Sequence, residues 1–254
     1  RRRRARIRSW WKFWNNDMQQ RLDTANARFF KPCGLELTLP DCDQLVPYPN
    51  KLPDWWENND NLFYVDKRIA PFNLDLRMSP GNKPPCNCTV ICRSPVAASM
   101  VLWGDGSFIH IGQQNRIPKS MLCCGDAAIF LGDDIRVTWS LTVNARNGGL
   151  VHFQDDCLIA SNIQCNTDDM HSIRDLATGK RLNIFGGHIL VGRHVWVGQE
   201  SLLLSNTTIG DGAVVGARSL VKNTYPANCV LAGIPARVIR TGTTWDPSDL
   251  PPEP

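Results

Sequence analysis

The chain has 254 residues, of which 43% are hydrophobic and 20% are charged, and this is the composition of an ordinary globular protein. It contains no apolar run of transmembrane length and no signal-peptide core. Its ten cysteines are interpreted as thiols of a reduced cytosolic protein, so we expect a cytoplasmic location. The formal net charge of +4 arises in residues 1–14, which hold seven of the 28 basic side chains and no acid; 21 basic and 24 acidic residues remain elsewhere. Because nucleic-acid proteins usually spread their basic residues over a folded face, we expect no nucleic-acid partner.

Residues 1–96 are predicted to form an N-terminal extension that is rich in proline, tryptophan and asparagine and has no clear period. We predict a helix over about residues 10–29, ended by "KPCG", and irregular or strand-like segments after it. Arginine is interleaved with tryptophan in residues 1–14, which is typical of weak association with an anionic membrane surface, here the inner face of the membrane. A solvated terminus with one short amphipathic helix explains the same residues.

From residue 189 the sequence repeats every six residues. The third position of each hexad is aliphatic in six cases out of six: Val191, Val197, Leu203, Ile209, Val215 and Val221. Four residues after each of the first five comes a small or β-branched side chain: Val195, Ser201, Thr207, Ala213 and Ser219. A period of six matches neither a helix nor simple strand alternation. It predicts a solenoid of short strands, with one inward side chain on each flat face and small residues at the corners.

The same phase continues upstream in two further series, Leu131, Val137 and Val143, then Phe153, Ile159 and Cys165. The solenoid is therefore predicted over residues 97–240, and the proline-rich residues 241–254 are predicted to form a tail along the surface. Three cysteines fall at repeat positions and are predicted to be small core residues: Cys157, Cys165 and Cys229. The C-x-C-x3-C spacing of residues 86–92 is not that of a zinc finger, and no metal site is expected.

The period fails at "NTDDMHSI", residues 166–173. The six-residue step from Cys165 arrives at His171, and the pattern does not return until about residue 189. We therefore predict a protruding loop over about residues 166–187, with His171 at its root and outside the packed core. A histidine is a candidate general base there, because much of it is neutral at cytosolic pH. A loop histidine that caps its own turn is the alternative.

The sequence "HILVGRHVWVGQESLLLSNTTIGDGAVVGARSLV" followed by "AGIPARVIR" resembles the hexapeptide-repeat acyltransferases. The resemblance implies a left-handed parallel β-helix, a handedness that the spacing does not show and that the general crossover rule would not predict. "NTDDMHSIRDLATGKRLN" ahead of "VWVG" is similar to the branch of O-acetyltransferases that modify surface polysaccharides, including sialic acid polymers. The resemblance covers residues 97–240 and says little about residues 1–96.

The resemblance also implies acetyl-CoA as the co-substrate, a homotrimer, and sites between adjacent β-helices. The family's D-x-H-S motif matches residues 169–172, and the comparison assigns the role of base to His171. Asp169 and Asp168 are both candidates to orient the imidazole, and both are also common turn formers. Asp175 has a family counterpart, and a structural hydrogen bond in the loop explains it equally well.

Trp196 of "VWVG" is predicted to point away from the aliphatic column, and the family carries a tryptophan here that is implicated in activity. Its flat ring would hold a pantetheine arm or a sugar face, and contact with a neighbouring subunit is the alternative. Small residues would let backbone groups bond the pantetheine amides: Gly198, Gly216 and Ala217. Basic residues of the last coils would bind the phosphates or serve only as soluble surface: Lys222, Arg237 and Arg240.

The sequence therefore predicts a mainly β protein that transfers acetyl from acetyl-CoA to a hydroxyl of a surface polysaccharide or glycan by direct attack. Acetylation of an antibiotic or free sugar and a non-catalytic β-helix scaffold are the alternatives. A γ-type carbonic anhydrase would need His152, His188 and His194 as zinc ligands, but the last two are separated by five residues where that family has four. His194 is predicted to be structural. Trp55 and Trp56 are predicted to contact the acceptor, and residues 1–96 to cap the helix.

Overall fold

The computed structural model describes residues 17–251, so the arginine-rich start, its proposed membrane contact and residues 10–16 of the predicted helix lie outside the described residues. The chain forms two compact units, one ending at Cys42 and the other beginning at Asp43.

In the first unit, residues 17–25 are α-helical (α1), a π-helical turn follows (Asn26–Phe30), and then a 3-10 turn (Lys31–Cys33). The apolar side chains of this segment are buried at helical spacing: Met18, Leu22, Ala25 and Phe29. Gly34 ends the helical run with a φ of 72°, a backbone angle that glycine adopts without steric cost.

A 3-10 turn (Cys42–Gln44) includes the boundary between the units. The second unit is mainly β, as predicted, and also contains a short helix, α2 (Asp54–Glu57). Its strands in chain order are β1 (Leu45–Pro47), β2 (Leu62–Asp66), β3 (Asp75–Met78), β4 (Thr89–Cys92), β5 (Ser99–Gly104), β6 (Phe108–Ile111), β7 (Met121–Gly125), β8 (Ala128–Leu131), β9 (Arg136–Val137), β10 (Leu141–Arg146), β11 (Leu150–Phe153), β12 (Leu158–Ile159), β13 (Ile163–Asn166), β14 (His188–Val191), β15 (Trp196–Val197), β16 (Leu202–Ile209), β17 (Val214–Val215), β18 (Leu220–Tyr225), β19 (Cys229–Gly233) and β20 (Ala236–Thr241).

These strands stack in parallel on three faces, so the unit is a parallel β-helix. Face 1 holds β2, β4, β6, β8, β11, β14 and the second halves of β16 and β18; face 2 holds β9, β12, β15, β17 and β19; face 3 holds β3, β5, β7, β10, β13 and the first halves of β16 and β18. Two antiparallel strands lie at the ends, β1 beside β2 and β20 beside β19. Each coil passes from face 1 to face 2 to face 3 and then steps up to the next.

The hexad positions form the core, which confirms the prediction. On face 3, for example, Val143 pairs with Cys165, Cys165 with Leu203, and Leu203 with Val221, so equal positions of successive coils lie above one another. The aliphatic positions of the repeat are at most 2% exposed, and Cys157, Cys165 and Cys229 are fully buried. Burial of this column is the main source of stability, since the strands are too short to persist alone.

The small corner residues are buried, and those that carry a hydroxyl use it to satisfy backbone carbonyls where the chain turns. The single O–H of Thr207 is shared between the carbonyl oxygen of Leu204, 2.7 Å from Oγ1, and that of Val221, one coil away, at 3.0 Å. Ser201 does the same toward Gly198 and Gly216, at 2.8 and 3.1 Å. Side chains of this size therefore close the corners and join adjacent coils.

The stack of parallel strands extends further toward the N-terminus than residue 97. β2 pairs in parallel with β4 from Leu62, and β3 pairs with β5 from Asp75. The predicted acceptor contact of Trp56 is wrong, because this side chain is 1% exposed and lies in the hydrophobic core against Phe63. Trp55 packs half-buried against the same core. Residues 1–96 have no repeat, so the sequence did not indicate whether Trp55 or Trp56 faces inward.

Beyond β20 the chain returns along the β-helix, and Trp245 is buried in this segment. In the part of the chain that the structure describes, no helix is long and apolar enough to cross a membrane. All ten cysteines are free thiols.

Candidate active site

Residues 167–187 leave the β-helix between β13 on face 3 and β14 on face 1. They form a hairpin in which the Leu182 N–H donates to the Ile173 carbonyl oxygen at 2.7 Å and the Asp175 N–H to that of Lys180 at 2.9 Å. The Asp175 carboxylate closes the tip by accepting hydrogen bonds from the Thr178 N–H at 2.7 Å and Oγ1 at 2.8 Å. Asp175 therefore makes a structural hydrogen bond in the loop, which is one of the two explanations considered for this residue.

Asp168 ties the two ends of this loop to the β-helix. Its carboxylate is 4% exposed and accepts hydrogen bonds from the Asn147 Nδ2 at 2.9 Å, the Met170 N–H at 2.5 Å and the Gly186 N–H at 3.3 Å. Burial alone would raise the pKa of Asp168, but these bonds and the nearby Arg181 guanidinium hold the pKa below its usual value. Asp168 is thus an ionised anchor at the root of the loop.

His171 is exposed next to this anchor. Its backbone N–H donates to the Asp169 carbonyl oxygen at 2.7 Å, and its carbonyl oxygen accepts a hydrogen bond from Asn183 at 2.8 Å. Within residues 17–251 of one chain, neither ring nitrogen makes a hydrogen bond. The Asp169 carboxylate accepts instead from the Asn183 Nδ2 at 2.9 Å. The imidazole is therefore free to meet a group from outside the chain, and the two predicted orienting aspartates are used elsewhere.

Face 2 carries the other group of predicted residues. Trp196 is 40% exposed, and its outward row continues in register through Val214 and Val230 to Arg240 on β20. Val214 and Val230 are half-buried and Arg240 is exposed. The row thus presents an aromatic ring, two apolar side chains and a cation in that order.

A second row of small side chains runs beside the first. A Cβ atom at Gly198 would lie 2.7 Å from the backbone nitrogen of Ala217, and one at Gly216 would lie 2.8 Å from the Cβ of Ala232, which pairs with Arg237. The Gly198 N–H already donates to the Val215 carbonyl oxygen at 2.8 Å. The glycine is therefore needed for the coils to approach, and the wall beside Trp196 stays low.

The structure thus brings five predicted coenzyme residues to one end of face 2: Trp196, Gly198, Ala217, Arg237 and Arg240. Lys222 lies on β18, outside this face. His171 lies in the loop between faces 3 and 1, so one chain does not place it on the row of Trp196.

Sequence reasoning missed the role of Trp245 beside this row. The Trp245 ring stacks on His194 at 4.4 Å and 8°, and it lies 6.3 Å from the Trp196 ring. His194 is held between the Asp156 Oδ2, 2.7 Å from Nδ1, and the Trp245 carbonyl oxygen, 3.0 Å from Nε2, which agrees with a structural role. The one available signal was a lone tryptophan in a proline-rich tail.

The remaining histidines of the zinc alternative are dispersed. His152 lies on face 1 beside the Phe130 ring at 4.8 Å, and His188 begins β14. Burial lowers the pKa of His152 to about 4. Among residues 17–251, no group of three or more His, Cys, Asp or Glu side chains is arranged to hold a metal ion.

No protein-family model matches the chain. A relative from Escherichia coli (strain K12), named as a candidate lipopolysaccharide biosynthesis O-acetyl transferase, WbbJ, is 30% identical over 163 residues, covering 61% of this chain and 79% of the relative. The chain belongs to the hexapeptide-repeat acetyltransferase family. Galactoside O-acetyltransferase of Escherichia coli (strain K12) is 29% identical to this chain over 140 residues, which are 55% of this chain and 57% of the galactoside enzyme.

The fold of this hexapeptide-repeat acetyltransferase is also that of a solved relative. The polySia specific acetyltransferase NeuO superposes with a TM-score of 0.62 at 23% identity, covering 74% of this chain and 90% of that structure. The alignment to galactoside O-acetyltransferase spans little more than half of that protein.

Proposed function

We propose that the protein is an acetyl-CoA-dependent O-acetyltransferase that modifies a sugar hydroxyl of a surface polysaccharide or glycan, with His171 as the general base. The observation that carries this proposal is the placement of His171: an exposed imidazole on a pinned loop at the edge of a rigid β-helix, in a chain of an acetyltransferase family. A polysaccharide acceptor is supported by the lipopolysaccharide biosynthesis named for WbbJ.

In the proposed mechanism, a neutral His171 ring nitrogen accepts the proton of the sugar hydroxyl as its oxygen attacks the thioester carbonyl carbon. The tetrahedral intermediate collapses with cleavage of the carbon–sulfur bond, and the imidazolium returns its proton to the departing thiolate. The products are the acetylated sugar and coenzyme A. Since no cysteine or serine among residues 17–251 is paired with His171, the acetyl group passes directly to the acceptor without a covalent enzyme intermediate.

The coenzyme is proposed to lie along face 2. Trp196 would hold the thioester end, Val214 and Val230 would contact the pantetheine arm, and Arg240 and Arg237 would pair with phosphates. Three steps between neighbouring strands, two parallel and one antiparallel, separate Trp196 from Arg240, roughly 14 Å. Gly198 and Ala217 have small side chains, so the row beside Trp196 leaves room for the pantetheine arm to approach the backbone. Lys222 stands on another face and would reach phosphates only from there.

Because His171 and the Trp196 row lie on different faces, the proposal requires a second copy of the chain. The loop exposes an unusual number of large apolar side chains: Met170, Ile173, Leu176, Leu182 and Phe185. Exposed apolar residues concentrated on one loop indicate a contact surface. We propose that this loop packs on the coils of a neighbouring chain in a homotrimer, and that the β-helix is left-handed as in the family. The proposed location is cytoplasmic, with residues 1–14 at the inner face of the membrane.

The test compares His171→Ala with His188→Ala, a half-buried histidine at the other end of the loop that has no assigned role. Release of coenzyme A from acetyl-CoA is followed with a polymeric glycan acceptor. We expect the His171 variant to lose at least about 100-fold in kcat, the usual range for a general base, and the control to stay within about threefold. Unchanged turnover in the His171 variant would overturn the proposal.

A small acceptor is the second candidate, favoured by the galactoside acetyltransferase among the relatives. Turnover with a simple galactoside, measured beside the polymer at equal concentrations of sugar residues, separates the two. A higher kcat/KM for the simple galactoside would replace the polysaccharide in the proposal.

A further inference from the structure

Both the nitrogen and the oxygen of the Asn183 side-chain amide form hydrogen bonds with the segment that carries His171. Its Nδ2 donates to the Asp169 Oδ2 at 2.9 Å and to the His171 carbonyl oxygen at 2.8 Å. Its Oδ1 accepts a hydrogen bond from the Ile173 N–H at 2.8 Å. The three partners span residues 169–173, and His171 is the central residue of that span.

Asn183 is itself held in place from the second arm of the hairpin. The Arg181 Nε donates to the Asn183 carbonyl oxygen at 3.0 Å, and the Arg181 Nη2 donates to that of Ile184 at 2.9 Å. The same guanidinium lies 5.0 Å from the centre of the Phe185 ring and 3.7 Å from the Asp168 carboxylate. The second arm of the hairpin, held by Arg181, is therefore hydrogen-bonded through Asn183 to the first arm, which bears His171.

No hydrogen bond within the described chain restrains the imidazole, so the backbone at residues 169–173 sets the position of the ring. We propose that Asn183 is a positioning residue for His171, and that Asp169 acts by holding the Asn183 amide rather than by orienting the imidazole. This inference rests on the proposed function, because His171 must be the base. A shift of about 1 Å in a base costs on the order of 100-fold in rate.

The amide chemistry distinguishes this role from simple loop stability. Asn183→Asp keeps the size and an acceptor for the Ile173 N–H, but it loses both donors and sets two carboxylates against each other. The double exchange Asp169→Asn with Asn183→Asp restores a hydrogen-bonded pair with donor and acceptor reversed. Thr178→Ala is the matched control, since it loosens the hairpin tip at Asp175 without touching residues 169–173.

The experiment measures kcat and KM for acetyl-CoA with the full chain, with melting curves to confirm folding. We expect kcat of Asn183→Asp to fall by about 100-fold at unchanged KM, since an interaction that positions the base acts on the chemical step. The double exchange should recover at least tenfold in kcat, and Thr178→Ala should stay within about threefold.

Three results would overturn the inference: kcat of Asn183→Asp within threefold of the unaltered protein, no recovery in the double exchange, or an equal loss in Thr178→Ala. If Asn183→Asp does not fold, kcat is measured instead in the double exchange, which keeps a hydrogen-bonded pair at positions 169 and 183. If His171→Ala retains full activity, the proposed function fails instead, and the two failures are distinguished by that variant.

Discussion

Trp245 and His194, 51 residues apart in the chain, form a reciprocal clasp. The Trp245 Nε1 donates to the His194 carbonyl oxygen at 2.7 Å, while the His194 Nε2 lies 3.0 Å from the Trp245 carbonyl oxygen and the rings stack at 4.4 Å. Face 2 thereby holds the segment after β20 beside Trp196.

Replacing Trp245 with alanine is expected to destabilise the fold by about 3 kcal/mol, because this residue is 8% exposed, its ring stacks on His194 and its Nε1 donates to the His194 carbonyl oxygen. Urea denaturation followed by circular dichroism measures the change. Trp139→Ala is the matched control: that ring is 52% exposed and its contact is the Lys119 ammonium, so the expected loss is at most about 1 kcal/mol. Equal losses in the two variants would contradict the clasp.

Attachment of this segment is expected to weaken as the pH rises. Burial of the ring lowers the pKa of His194, but the Trp245 carbonyl oxygen and the Asp156 and Asp246 carboxylates together raise it above its usual value. A raised pKa in the folded state gives stability that is complete below about pH 6.5 and is lost as the pH rises through the folded value. An NMR titration of the His194 ring and the Trp245 indole N–H between pH 5 and 9 tests this.

In that titration we expect a His194 midpoint above 6.5 and a Trp245 signal that changes with it. Asp156 itself is held by the Arg136 Nη2 at 2.9 Å, and this guanidinium remains charged across the range. His194→Gln should leave the Trp245 signal independent of pH, and a midpoint below 6.5 in the unaltered protein would be the contrary result.

Replacing Arg240 with alanine is expected to raise the KM for acetyl-CoA by about fivefold at unchanged kcat, because an exposed ion pair to a phosphate contributes at most about 1 kcal/mol. Steady-state kinetics with acetyl-CoA as the varied substrate gives both constants. Arg77→Ala is the control, since in the described part of the chain this exposed arginine on β3 bonds only to Asp75, at 2.7 Å. A fall in kcat without a change in KM would remove Arg240 from the coenzyme site.

Thr207→Val is expected to destabilise the protein by about 1 to 3 kcal/mol, because two buried carbonyl oxygens lose their hydroxyl donor and valine brings none. Thr208→Val, on the neighbouring outward position, should change the free energy of unfolding by less than about 0.5 kcal/mol. Thermal melting of both variants checks the difference, and equal melting temperatures would show that the corner hydroxyl contributes nothing.

Burial of the hexad positions could be predicted residue by residue because the solenoid repeats a local rule. Val197 and Val215 occupy equivalent places on successive coils, and each is inward for the same reason. The loop at residues 167–187 was predicted by the same means, since a period shows where it stops. Trp56 was mispredicted because nothing in residues 1–96 repeats, so the burial of a single tryptophan depends on packing that the local sequence does not encode.

The sequence by itself determined the β-helix, its core column and the position of His171 at the root of a loop, because these follow from a short period and its interruption. Only the tertiary structure decided that Asp169 bonds to Asn183, that Trp245 covers His194, and that the Trp196 row ends at Arg240. Each of these joins residues 14 or more positions apart. Such contacts depend on where coils and loop arms meet in space, which no periodic signal records.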